Sequence, residues 1–211
     1  MAGIDIIGKL YSVPGIVAGF TIHEYCHALA AYKLGDDVVK EEGRLTLNPL
    51  RHIDLIGFIF ILFAGFGWAR PVSFRPDKLK HPRRDKAIIA AAGPLSNLVL
   101  GLVCLFALKF SFPLWENSQL TDFALGALNV LLYAGIINIG LFAFNILPLP
   151  PLDGSHIFLA GLNLKPETEA KWYKYGTWVL FAIIIAETAF DIDIIPIGRF
   201  MDWVWGLILR G

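Results

Sequence analysis

This 211-residue chain is short of charge: Asp, Glu, Lys and Arg together make up 17% of it, against 56% hydrophobic residues. So small a charged share, with a strongly positive mean hydropathy, excludes an ordinary soluble domain and fits an integral membrane protein. The net charge is zero, so nothing points to nucleic acid as a partner. Cysteine is scarce too. Cys26 and Cys104 each sit inside an apolar run and do not form a disulfide framework. There is no low-complexity segment, no repeat of 20–50 residues and no stretch polar enough for an appended soluble domain. The first apolar stretch is too long for a signal-peptide core and has no A-x-A site, so it is expected to persist as a membrane helix.

Within that first stretch lies Thr21-Ile22-His23-Glu24-Tyr25-Cys26-His27-Ala28, an H-E-x-x-H pattern. Residues four apart on an α-helix differ by roughly 40° around its axis, so His23 and His27 share a face and can reach one tetrahedral Zn²⁺. Glu24, roughly 100° away from His23, can approach a metal-bound water as general base. Apolar residues surround the pattern, and no charge follows until Lys33. Ionisable groups in the middle of a membrane-type helix are costly and point to function rather than to two chance core histidines. The small residues Gly19, Ala28 and Ala31 near this face leave room for a metal and substrate, or equally for a closely packed helix.

Taken in order, residues 10–32 are long enough to cross a bilayer, with Pro14 expected in the first turn or two. From Val38 to Leu47, two short branched or alternating runs flank Glu42-Gly43, which predicts a β-hairpin. Ile53 to Trp68 is apolar but short and broken by Gly57, Gly65 and Gly67, so a re-entrant segment is expected; residues 38–75 together form the β region and this segment. Ala69 to Lys86 carries seven of the 18 Lys and Arg, which places it in the cytoplasm. Residues 87–109 span back, and Phe112 to Asp122, with no Lys or Arg, lies outside. Spans at 123–147 and 172–189 follow, then residues 194–209 as a last span or an interfacial helix. The fold class is therefore an all-α polytopic membrane protein of about five to six membrane segments with a small membrane-associated β region, in one domain over 1–211.

A catalytic zinc needs a third protein ligand. Asp153, His156, Asp54, Asp5 and Asp191 are the candidates near apolar runs. By charge placement, 10–32 and 123–147 both run outside to inside, which brings Asp153 to the depth of the histidines. Pro148, Pro150 and Pro151 forbid a regular helix before it, so the chain can fold back toward the site. Asp153 is favoured, with His156 as the substitute.

His-Glu-Tyr-Cys-His in a first span, Gly93-Pro94-Leu95-Ser96-Asn97 in a middle one, and Asn145-x-x-Pro-x-Pro-Pro-Leu-Asp153-Gly154 after a later one resemble the site-2 protease family of intramembrane zinc metalloproteases. Gly67-Trp68-Ala69-Arg70-Pro71-Val72 and Arg83-Arg84-Asp85 are similar to its compact bacterial and archaeal branch, which lacks a PDZ domain. The resemblance runs from Gly19 to Ile157. It implies one zinc per chain on His23, His27 and Asp153, Glu24 as base, and Asn145 hydrogen-bonding the substrate carbonyl or its oxyanion. It further implies a β region that holds substrate, a transmembrane protein as substrate, regulated intramembrane proteolysis as the process, and a cell-membrane location with the site facing the cytoplasm. An exposed β edge over Val38 to Leu47 would capture the unwound substrate strand. The rival classes are a metal transporter, for which inverted repeats would be expected, and a non-proteolytic metal-binding membrane protein. Oligomeric state is not legible.

Overall fold

Among the described residues, three long apolar helices frame the protein. The computed structural model describes residues 6–64, 67–115, 121–162, 164–190 and 192–210. Helix α1 is Ile6–Lys33, and α2, Val38–Glu41, is a single turn. Helix α3 is Leu55–Ala64, α4 is Pro82–Trp115 and α5 is Asp122–Asn145. Then come α6, Asp153–Gly161, and α7, Pro166–Phe190. Last is α8, Ile197–Trp205, which runs into a π-helical turn, Gly206–Arg210. Asp5, Asp191 and part of the expected external loop lie outside the described residues.

Helices α1, α4 and α5 pack on one another, and all three are long and apolar enough to cross a membrane. Their contacts give the directions. Gly15 meets Ala134 and Gly19 meets Asn138, so α1 and α5 run parallel. His23 contacts Asn97 and His27 contacts Ile89, so α4 runs antiparallel to α1. With Gly19 beside Asn138 and both helices running the same way, α5 ends at Asn145 at the level of His27 while α1 continues to Lys33, so the chain that leaves α5 arrives beside the histidines.

Two buried clusters tie the helices together. Ala28, Ala31, Val39, Leu79 and Ile89 join α1, α2 and α4. Leu105, Ile139, Val204 and Ile208 join α4, α5 and the C-terminal helix. Ala28 and Ala31 thus serve close packing.

Several expectations need correction. Pro14 is the ninth residue of α1, because the helix begins earlier, at Ile6. Its missing N–H leaves the Leu10 carbonyl without a helical partner, at a position where Leu10 is exposed. The Val38–Leu47 hairpin, and with it the β edge for substrate, is not formed. Asp36 accepts from the Val38 N–H at 3.1 Å and starts α2 instead. Gly43, at φ +68°, reverses the chain, and Arg44 turns inward to the carbonyls of Arg51 and Arg70. A buried guanidinium needs carbonyl acceptors, and irregular backbone supplies them where a paired hairpin would not. Among the described residues there is no strand, only an isolated antiparallel bridge between Ile53 and Ala69.

That bridge closes the ends of the α3 segment on each other. The 10 residues of α3 extend about 15 Å, half of the roughly 30 Å hydrocarbon core, so α3 does not span. The span expected over 172–189 falls short, as does the spanning one of the two readings of 194–209. In α7 the apolar stretch is confined between Lys174 and Glu187, and α8 has only 9 residues before its π turn. Three helices, not five or six, meet the length and apolarity of a crossing among the described residues.

Candidate metal centre

His23 and His27 lie one turn apart in the second half of α1, both nearly buried, with their Nε2 atoms 3.0 Å apart. Asp153, the first residue of α6, brings Oδ2 to 3.1 Å from the first and 3.3 Å from the second. Donors about 2.0–2.1 Å from a tetrahedral zinc stand roughly 3.3 Å from one another. Two imidazole nitrogens and a carboxylate oxygen at that spacing are able to hold one metal ion between them. Burial by itself would raise the Asp153 pKa. The His27 and His23 imidazoles beside it outweigh that and hold the carboxylate below its usual range.

The chain reaches this point by doubling back. Leu147 to Leu152 turns irregularly through three prolines, and Gly154 then passes against the backbone carbonyls of Ile146 and Leu147 so closely that a Cβ there would overlap both. Both imidazoles are oriented from behind. His27 Nδ1 donates to the Ile89 carbonyl at 2.7 Å and His23 Nδ1 to Asn97 Oδ1 at 2.5 Å, which leaves each Nε2 lone pair facing the cluster.

Space for an ion comes from α4. A Cβ built on Gly93 would sit on His27 Nε2 and 2.7 Å from His23 Nε2, in the place that a metal shared by these nitrogens requires. The donor chemistry and this side-chain-free wall both fit zinc.

Glu24, next in sequence and also buried, points to a different neighbour. Its Oε2 accepts the Val72 N–H at 2.8 Å. Val72 belongs to an irregular strap, Trp68–Phe74, that crosses the site. Arg44 braces the strap by donating to the Arg70 carbonyl at 2.5 Å and to the Arg51 carbonyl, with its Nη2 also 3.9 Å from Glu24 Oε2. Burial pulls the Arg44 pKa down and the Glu24 carboxylate opposes that. A cavity of about 390 Å³ opens between the strap and the helices, and Asn145, His156 and Leu180 line it along with His23, Glu24, His27 and Asp153. Asn145, at the end of α5, donates one N–H to the Leu141 carbonyl at 2.9 Å.

Of the five third-ligand candidates, Asp153 is brought to the histidines. His156 lines the same cavity, but its Nδ1 is hydrogen-bonded to the Tyr173 hydroxyl at 2.6 Å. Burial and, after it, Lys86 depress its pKa. Asp54 accepts from the Gly57 N–H at the start of α3. Sequence reasoning did not single out Gly93, Arg44 or Asn138. Asn138 had a readable signal, since a polar amide inside an apolar span calls for a partner. Gly93 had only its place in the Gly-Pro-Leu-Ser-Asn run, and Arg44 had none.

Metal donors of this kind between apolar helices fit a membrane metalloprotein. Similarity to known chains agrees. The profile of peptidase family M50 matches residues 117–186, which include Asn145 and Asp153. The candidate zinc metalloprotease YwhC of Bacillus subtilis is 38% identical over 197 residues, covering 92% of this chain and 84% of that one. The chain belongs to peptidase family M50, the site-2 protease family. The candidate zinc metalloprotease Rip2 of Mycolicibacterium smegmatis is 29% identical over 178 residues, 82% of this chain and 64% of its own, so the chain spans just under two thirds of that relative. MJ0611 of Methanocaldococcus jannaschii, also a candidate zinc metalloprotease, is 31% identical over 159 residues, 72% and 71% of the two chains. No solved structure matches.

Proposed function

We propose that this protein is an intramembrane zinc metalloprotease that hydrolyses peptide bonds in or near the transmembrane segments of membrane-protein substrates. The observation that carries this reading is the convergence of His23, His27 and Asp153 against the bare backbone of Gly93, between helices long enough to cross a bilayer. His23, His27 and Asp153 hold one zinc. When bound, zinc acts as a Lewis acid, acidifying water and polarising a peptide carbonyl.

Glu24 takes the proton of the attacking water and passes it to the leaving amine. The Val72 N–H and Arg44 keep that carboxylate turned toward the cavity. Asn145 directs its remaining N–H at the oxygen that becomes negative in the transition state. A helical substrate has its scissile carbonyl hydrogen-bonded and must unwind locally before attack. The site faces the cytoplasm, in keeping with the basic stretch Ala69 to Lys86 at the end of the bundle where the strap and the histidines lie. Helix α3 is re-entrant.

The test uses purified full chain in proteoliposomes with a membrane-spanning reporter. About one zinc per chain, cleavage that stops on chelation and cleavage restored by added zinc are the expected results. Cleavage untouched by complete zinc removal would overturn the reading.

A further inference from the structure

Behind the histidines, two amides sit where no water can reach them. Asn97 on α4 and Asn138 on α5 have no exposed surface. Both lie inside helices long and apolar enough to cross a membrane. An unpaired amide there would be costly, and these two are paired throughout. Asn97 Nδ2 donates to the Gly19 carbonyl at 3.2 Å and to Asn138 Oδ1 at 2.8 Å. Asn138 Nδ2 donates to the carbonyls of Gly15 at 3.2 Å and Ala134 at 2.9 Å.

The pattern has one consistent direction. Backbone carbonyls only accept, so Gly15 and Ala134 require the amino group of Asn138 and turn its Oδ1 toward Asn97. Asn138 Oδ1 and the Gly19 carbonyl then require the amino group of Asn97, and that turns Asn97 Oδ1 toward His23. An oxygen facing His23 Nδ1 at 2.5 Å requires the proton there. Reversing any member would set like groups against each other at hydrogen-bond distance. The geometry also leaves no slack: a Cβ on Gly19 would come within 2.6 Å of Asn138 Oδ1.

We propose that Asn138 and Asn97 form a two-amide relay, anchored on the backbone of α1 and α5, that fixes His23 in the tautomer with its proton on Nδ1 and its Nε2 lone pair turned to the metal. Both are positioning residues, and Asn138 acts only through Asn97. The relay rests on the metal-centre reading above. It goes beyond that reading by giving a buried amide on α5, with no ligand role of its own, control over a metal ligand on α1. Helix glue alone would need amide-to-carbonyl bonds, yet this chain of donors begins at a ligand imidazole. His27 needs no such relay, because its Nδ1 already meets a backbone carbonyl.

Zinc affinity of the detergent-solubilised full chain is measured by chelator competition at fixed pH, beside the melting temperature of the metal-free protein. Asn97→Leu is expected to weaken zinc binding by about 10- to 100-fold, the range for loss of such an orienting partner. Asn138→Leu weakens it by a smaller factor, and the double variant is no weaker than Asn97→Leu, because the two act in series. Asn97→Asp, which keeps an acceptor for His23, stays closer to wild type than Asn97→Leu. Lower melting temperatures with wild-type zinc affinity in both Leu variants would overturn the relay and leave the metal centre standing. A wild-type chain that takes up no zinc would overturn both. Should the Leu variants not fold, ¹⁵N spectra of the metal-free wild-type protein, with the His23 signals assigned against His23→Asn, read the tautomer directly. A protonated Nδ1 supports the relay, whatever Nε2 carries, and a bare Nδ1 overturns it.

Discussion

The two walls of the cavity are built by opposite means. On one side, α1, α4 and α5 meet through side chains with no exposed surface, among them Asn97, Asn138 and Ile139. On the other, the strap Trp68–Phe74 is held by hydrogen bonds to its backbone and by Val72 and Phe74 packed on the edge of the Ala28 cluster, and Leu55, Ile56, Phe63 and Trp68 stay exposed. The histidines belong to the packed wall. Glu24 leaves the same helix but is tied to the strap through the Val72 N–H. Metal binding needs donors held to within a fraction of an ångström, which packing provides. Substrate entry needs a side that can open, and a strap on hydrogen bonds opens at lower cost than a helix interface.

Breaking the packed wall should have the largest effect. Gly93→Ala puts a methyl where the ion is held, so metal analysis of the purified variant should show zinc lost as fully as in His23→Ala or Asp153→Ala. His156→Ala should keep it. If His156→Ala strips the metal while Asp153→Ala retains it, the third ligand is on the wrong residue.

Next comes the group that joins the walls. Glu24→Gln keeps size and hydrogen bonding but loses the base. The expected result is full zinc content with cleavage of the reporter below detection, and appreciable turnover in this variant would remove Glu24 from the chemistry.

Asn145 sharpens the comparison further, since it ends α5 on the packed side yet faces the cavity. Asn145→Ala should lower kcat by about 10²- to 10³-fold with zinc unchanged, as loss of one oxyanion donor does. Were Asn145 only tying down the helix end through Leu141, turnover would hold and stability would fall by about 1 kcal/mol.

The smallest effect is expected on the strap itself. Arg44→Met removes donors to the Arg51 and Arg70 carbonyls, and should lower stability by about 1.5–3 kcal/mol, the range for a hydrogen bond to a charged group. Denaturation in detergent and a zinc assay on the same sample check it. Zinc lost together with the strap would mean the two walls are not separable.

Sequence alone determined what is local and periodic. The one-turn spacing of His23 and His27 follows from helix geometry, and the lack of charge around them marks α1, α4 and α5 as membrane helices. The three prolines after Asn145 predicted the break in backbone that carries Asp153 back, and the charge pattern predicted that α1 and α5 run the same way. The hairpin over Val38–Leu47 was misread because alternation is a weak signal when an Asp36 that accepts the Val38 N–H and an inward Arg44 compete for the same backbone. The extra span over 172–189 was misread because an apolar stretch cut short by Lys174 and Glu187 resembles a crossing in composition but not in length. Only the tertiary structure decided which atoms meet across helices. That Gly93 faces two imidazoles, that Asn138 reaches His23 through Asn97 and that Val72 holds Glu24 all depend on the rotation and offset of packed helices, which a pattern along one chain does not encode.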